Sequence, residues 1–288
     1  MKDSMTEPTE KPSSPLNTVF RLFIIPLMIV AVSVGLFYAF GRMTFETKSP
    51  EDYIYEIKTG GESKKWQAAY SLAGLLITEK NLPEDVRKEY TRQIISIVDS
   101  KDRYNVRVRT YLLLALGYLR EKESVPVLVN ALKDSEEDIV LYSVWALAII
   151  GDPSAVEKII PLMEDSRAPI RKISAFALGA FGDKKAVPAL QKALKDSVPD
   201  VSWNAALSLA ALGDASGGAV LERMLDRGYL NTFPKLSERD KEGILLNVIK
   251  SIGKINLKSA KPKLEELSAK DPSLKVRQAA MDALPKLA

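Results

Sequence analysis

The chain has 288 residues, 46% of them hydrophobic and 27% charged, with 41 Lys and Arg against 37 Asp and Glu for a net charge of +4. So even a balance is not that of a protein built to coat nucleic acid. Cysteine and histidine are both absent, which excludes disulfides, thiol nucleophiles, iron or haem held through histidine and the usual zinc sites, and removes the commonest general base.

In chain order, residues 1–21 come first. They are rich in Pro, Ser, Thr and charge, as in the run Glu7 to Pro15, and read as a disordered polar tail. Leu22 to Phe40 then pass 19 positions without a charge, between Arg21 and Arg42. At about 1.5 Å per residue this run nearly reaches the ~30 Å of a bilayer core, so residues 22–41 predict a single transmembrane helix. Phe20, Phe37, Tyr38 and Phe40 near its ends suit the interface. The run exceeds the apolar stretch of about 7 to 15 residues in a cleavable signal, so it is expected to remain as an anchor. Lys2, Lys11 and Arg21 before it are matched by Arg42, Lys48 and Lys58 after it, and the positive-inside count does not orient the chain. A short polar tail ahead of an anchor favours an inside tail, which would place the remainder outside the cytoplasm, in the periplasm of a Gram-negative cell. Residues 42–59 read as a juxtamembrane segment.

Beyond residue 60 the sequence repeats at a spacing of 31. Val108, Ile139, Ile170 and Val201 fall in register, as do Ala115, Ala146, Ala177 and Ser208, then Leu116, Leu147, Leu178 and Leu209, and further on Leu128, Ile159, Leu190 and Leu221. A unit this short cannot bury its own apolar face, so neighbouring units must stack. Within the unit beginning at Ile170, the residues Ile170, Ser174, Ala177, Leu178 and Phe181 form one helical stripe. Gly151-Asp152, Gly182-Asp183 and Gly213-Asp214 each join a residue tolerant of positive φ to a capping side chain, and predict a turn between two helices. Pro188 falls in the first turn of the second helix, where no amide donor is needed. After Leu225 the register breaks: Ser208 matches Val248 only at a spacing of 40. The inserted segment contains Tyr229, Leu230 and Phe233, too apolar for a free loop. They are expected either to fold back over the array or to contact a partner.

The stretch Ile170-Arg171, Ala175, Ala177-Leu178-Gly179, Gly182-Asp183 and Ala186-Val187-Pro188-Ala189-Leu190, closing at Asp196, resembles a HEAT repeat, specifically the HEAT-like repeats also found in phycobiliprotein lyases. Units starting at Val108, Ile139 and Val201 match well, and weaker ones begin at Lys64, near Glu242 and at Val276, so the resemblance covers residues 60–288. It implies an all-α fold, a right-handed α-solenoid of helix pairs preceded by the transmembrane helix. The family's Asp-to-Arg ladder would pair Asp165 with Arg171 and Asp271 with Arg277, while Val140 and Ser202 stand where two further arginines belong.

No phosphate loop of the form GxxxxGK[ST] and no GxGxxG occurs. The adjacent carboxylates Glu84-Asp85, Glu136-Glu137-Asp138, Glu164-Asp165 and Glu265-Glu266 fall at helix termini, where acids suit the macrodipole. No catalytic, metal-binding or cofactor-binding residue is expected, and the chain reads as a non-enzymatic scaffold binding a protein partner, itself in the membrane. Two other classes are open: lyase-like or chaperone-like handling of a bilin or other apolar ligand, implied by the resemblance alone, and nucleic-acid binding from residue 235 onward, where twelve Lys and Arg face seven Asp and Glu. For the scaffold, three outward columns are expected on the first helices: Thr110, Leu141, Lys172 and Trp203; Leu114, Trp145, Phe176 and Leu207; and a small-residue floor of Gly117, Ala148, Gly179 and Ala210. The candidate partner-binding residues are Leu114, Leu141, Trp145, Lys172, Phe176, Trp203 and Leu207, with Tyr229 and Phe233 of the insertion.

Overall fold

The computed structural model describes residues 25–44, 48–79, 81–100 and 103–287, so the polar tail 1–21 lies outside the described residues. The chain divides into two units, Met1–Ser49 and Pro50–Ala288. The first contains α1, Ile25–Thr44. Among the described residues no helix is long and apolar enough to cross a membrane. Residues 22–24 of the expected span lie outside them, and within α1 side chains are described only over 27–37. There Leu27, Ile29, Val32, Val34, Leu36 and Phe37 are all exposed.

The second unit is built of α2 (Pro50–Thr59), α3 (Glu62–Thr78), α4 (Glu84–Asp99), α5 (Val106–Leu119), α6 (Val125–Ala131), α7 (Glu137–Ile150), α8 (Val156–Ile159), α9 (Ala168–Phe181), α10 (Val187–Ala193), α11 (Pro199–Ala211), α12 (Gly218–Met224), α13 (Arg227–Asn231), α14 (Glu238–Ile255), α15 (Lys261–Lys270) and α16 (Leu274–Ala283). The longer helices α3, α5, α7, α9, α11, α14 and α16 pack against one another in that order, and α4, α6, α10 and α15 pack against the longer helix that follows each. This is an α-solenoid of helix pairs. The four columns read from the sequence account for its core: Val108, Ile139, Ile170 and Val201 are fully buried, as are Leu116, Leu147, Leu178 and Leu209, and Leu128, Ile159, Leu190 and Leu221, and the column of Ala115, Ala146, Ala177 and Ser208 is buried with them. The turns also form as the sequence requires. Gly151, Gly182 and Gly213 have φ of 73°, 72° and 79°, and the carboxylates of Asp152, Asp183 and Asp214 accept backbone N–H bonds from Ser154, Lys185 and Ser216. Arg120, in the same register position one unit earlier, adopts φ of 57° without being glycine.

Three features differ from expectation. The compact unit begins at Pro50 rather than 60, because Ile54 and Ile57 on α2 are buried against its core. The core itself divides at α11: Val201, Ala205 and Leu209 belong to the cluster shared with earlier repeats, while Trp203, Ala206 and Ala210 belong to the one shared with later repeats. The ladder is also wired differently. Arg171 donates to both carboxylate oxygens of Asp196, at 2.7 and 3.0 Å, and reaches Asp165 only at its backbone carbonyl; the Asp165 carboxylate is held by Arg167 instead. Likewise the Asp271 carboxylate takes a two-pronged bond from Arg227, at 2.6 and 2.9 Å, and Arg277 reaches only its carbonyl. Arg109 pairs with Asp134 at 2.7 Å. The arginine therefore reaches forward to the acid of the next turn.

Candidate partner-binding face

The first helices present one side to solvent, and its character follows from the register. The second predicted column lies there as expected. Trp145 on α7 and Phe176 on α9 are 36% and 41% exposed and stack with ring centroids 5.4 Å apart and planes 13° from parallel. Leu114 and Leu207 are half-buried on either side. Stacked rings exposed to this degree are unusual where burial would have been available to them, and mark a surface suited to contact.

The other two columns require correction. Thr110 and Trp203 are 5% and 6% exposed, so the first column does not point outward as a whole. Leu141 is half-buried, and Lys172 is exposed and lies 3.5 Å from Asp200 on α11. The small-residue column is no groove floor either. A Cβ on Gly117 would lie 2.8 Å from the Cα of Ala146, and one on Gly179 would lie 2.8 Å from the Cα of Ser208. Ser208 meanwhile donates its hydroxyl to the Ala175 carbonyl across the same seam. These positions are small because successive first helices touch there, backbone against backbone. Outward and inter-helix positions differ by less than one turn, too little for periodicity to separate.

The insertion folds back over the array. Asp226 caps α13, and Leu230 is fully buried. Tyr229 and Phe233 are half-buried around Trp203, with centroids 6.0 and 4.9 Å from its ring, and Tyr229 accepts the indole N–H at 3.3 Å. Arg223 covers the outer face of Tyr229 at 4.4 Å. Trp203, Tyr229 and Phe233 thus form an internal aromatic cluster. Trp203 still contributes one edge to a cleft of about 620 Å³, which it lines together with Trp145, Lys172, Phe176, Leu236 and Ile244. Four predicted residues are therefore brought together in one cleft, while Leu114, Leu141 and Leu207 lie outside its lining.

Sequence reasoning missed Tyr70 and Tyr111. Tyr70 on α3 is 58% exposed, and its ring meets Tyr111 edge-on at 5.2 Å. The signal was present: Trp66-Gln-Ala-Ala-Tyr-Ser-Leu72 parallels Trp203-Asn-Ala-Ala-Leu-Ser-Leu209, which puts Tyr70 in the column of Trp145 and Phe176. Close by, Arg107 lies 4.9 Å from the Trp66 ring, within reach of a cation–π contact.

The electrostatics of the unit lie mainly in its turns. Asp196 has its carboxyl held below the usual range, chiefly by the hydrogen bond from Arg171 and further by the Val198 backbone N–H; Asp165 is lowered chiefly by Arg167. A carboxyl depressed in the folded state stabilises the fold above its unfolded pKa of about 3.9, and that stability is lost as pH falls through the lower folded value. Asp196→Asn is therefore expected to narrow the loss of melting temperature between pH 5 and pH 3, in a thermal melt followed by circular dichroism. An unchanged pH profile would show that the pair contributes nothing to acid sensitivity. Among the described residues no group of His, Cys, Asp and Glu is placed to hold a metal ion.

Comparison with known proteins places this geometry. Residues 91–175 and 156–229 match the family model described as HEAT repeats. The complex of CpcE and CpcF of phycocyanin lyase from a Nostoc species is similar in structure, with a TM-score of 0.56 at 18% identity over 85% of this chain and 97% of that one. YibA of Escherichia coli is similar with a TM-score of 0.51 at 15% identity, over 97% of this chain and 99% of that one. No curated protein matches the sequence. At such identities the solved structures speak to the fold, and the family match speaks to the repeats: residues 91–229 are similar to HEAT repeats.

Proposed function

We propose that this protein is a membrane-tethered scaffold without enzymatic activity, whose solenoid binds a protein partner across its first-helix face. The observation that carries the reading is the exposed Trp145–Phe176 stack at the edge of the cleft. Two large rings left in water beside a fully packed core are best accounted for as contact residues. Tethering is supported by the 19 uncharged positions from Leu22 to Phe40 and by the exposure of every large apolar side chain described on α1. Such a helix has no polar face to give to water. The partner is then a membrane protein or complex, and the solenoid is placed outside the cytoplasm. A phosphatase active only outside the cytoplasm, fused at Ala288, reports this orientation; a silent fusion puts the solenoid inside.

The nucleic-acid reading is less well supported, because Lys241, Lys263 and Lys275 in the basic segment are held by Glu238, Glu266 and Glu242. Handling of a bilin-like ligand has only the fold likeness to the phycocyanin lyase complex behind it. A visible absorbance band in the purified protein would revive it.

The test is the double variant Trp145→Ala, Phe176→Ala. It should melt close to the parent, since neither ring is fully buried and the ~3–5 kcal/mol cost of deleting a core aromatic does not apply. Affinity for the partner recovered from mild-detergent extracts should fall by about 2 kcal/mol or more, some thirtyfold. A folded variant that keeps every partner of the parent removes this face from the function.

A further inference from the structure

From the charge pattern around the stacked rings we infer that the docking segment of the partner is a peptide stretch with an apolar centre and a basic flank, its lysine or arginine seated on the Asp138 side of Trp145. This rests on the reading of the first-helix face as a docking surface. One position in the first turn of the first helices reads Arg107, Asp138, Pro169 and Asp200 at the 31-residue spacing, continued by Asp240 after the insertion. These side chains share a face with the rings: Asp138, Tyr142 and Trp145 follow at i, i+4 and i+7 on α7. Asp200 and Asp240 line the cleft itself.

The acids are not equally free. Asp200 is offset by Lys172 at 3.5 Å, and Asp240 is engaged in the Ser237 cap with Arg239 nearby. Glu136 and Asp138 are exposed and form no ion pair among the described residues. The charge of Asp138 reaches the face, because Asp138 is one of the groups that raise the Tyr142 phenol above its ordinary pKa, after burial and Tyr111. The surface a partner meets is therefore apolar at Trp145 and Phe176 and negative one helical turn or two away. A basic side chain beside an apolar anchor complements it, and an acidic one is repelled.

The test uses the full chain in phosphatidylcholine nanodiscs, with empty discs as the blank. The probes are a short fluorescein-labelled peptide with a leucine-rich centre and lysine flanks, and its glutamate-flanked counterpart, read by fluorescence anisotropy. The lysine form should bind and the glutamate form should not. Asp138→Lys should weaken the lysine form about tenfold, and Trp145→Ala should weaken it comparably. If the glutamate form binds as well as the lysine form and Trp145→Ala abolishes both, the charge assignment is wrong while the docking face stands. If Asp138→Lys changes nothing, the charge assignment is likewise overturned. If neither peptide binds, or Trp145→Ala leaves both unaffected, the peptide inference falls, and the face is then judged by the double variant alone.

Discussion

Arg109→Ala is expected to cost about 3–5 kcal/mol of stability, the loss typical of breaking a buried ion pair from one side. The side chains of Arg109 and Asp134 are 8% and 9% exposed and 2.7 Å apart. Removing the guanidinium takes from the part-buried Asp134 carboxylate, which also accepts the Glu136 backbone N–H, its 2.7 Å cationic partner. Asp134→Asn combined with Arg109→Met keeps that backbone bond and removes both charges, and should recover most of the loss, since a well-packed neutral pair can replace a buried ionic one nearly without cost. Urea unfolding of the two single variants and the double gives the coupling. A single-variant cost below about 1 kcal/mol would mean that water already reaches the pair, as at a surface bridge.

Gly117→Val should destabilise by about 3 kcal/mol, near the upper end for overpacking, because the obstacle is backbone. The new Cβ would sit 2.8 Å from the Ala146 Cα, so α5 and α7 must separate, and no side-chain rotation relieves the clash. Gly74→Ala provides the contrast. It too is a helical glycine, but nothing lies within 4 Å of its would-be Cβ. That substitution should stabilise by roughly 0.5–1 kcal/mol through chain entropy. Equal effects at the two glycines would show that the close approach of the first helices does not limit this fold.

The sequence revealed repetition more readily than contact. Val108, Ile139, Ile170 and Val201 could be assigned to the core because a 31-residue spacing leaves such columns nowhere else to go, and the Gly-Asp turns followed from backbone chemistry alone. Gly117 and Gly179 were misread because a small residue serves a groove floor and a helix crossing alike. The arginines went to the wrong acids for a related reason: Asp165 and Asp196 occupy the same column, and spacing does not say whether an arginine reaches back or forward. Helix α2 was missed because Ile54 and Ile57 have no counterpart in the repeat. Tyr70 was missed because its unit stands out of the gapless register. At the candidate face, Trp145 and Phe176 were legible since both are large and fall in one column, whereas the sheltering of Trp203 by Tyr229 and Phe233 depends on how the insertion folds.

The forward-reaching arginines bear on how the array yields to force. Arg109 ties the start of α5 to the turn after α6, and Arg171 ties the start of α9 to the turn after α10, so each pair clasps the two helices of one repeat. In the repeat of α7 the arginine position is Val140, buried and without charge, so that repeat lacks the clasp, and it is joined to the next by the exposed pairs Glu157 with Lys185 and Glu164 with Lys192 and by Arg167 on the Ser135 carbonyl. The Trp145–Phe176 stack spans this same joint. Any change in how α7 packs on α9 therefore changes the spacing of the two rings, at a junction where an unclasped repeat meets a clasped one. An occupant wedged against both rings would hold α7 and α9 at one spacing, so the packing of two repeats would record whether the face is filled.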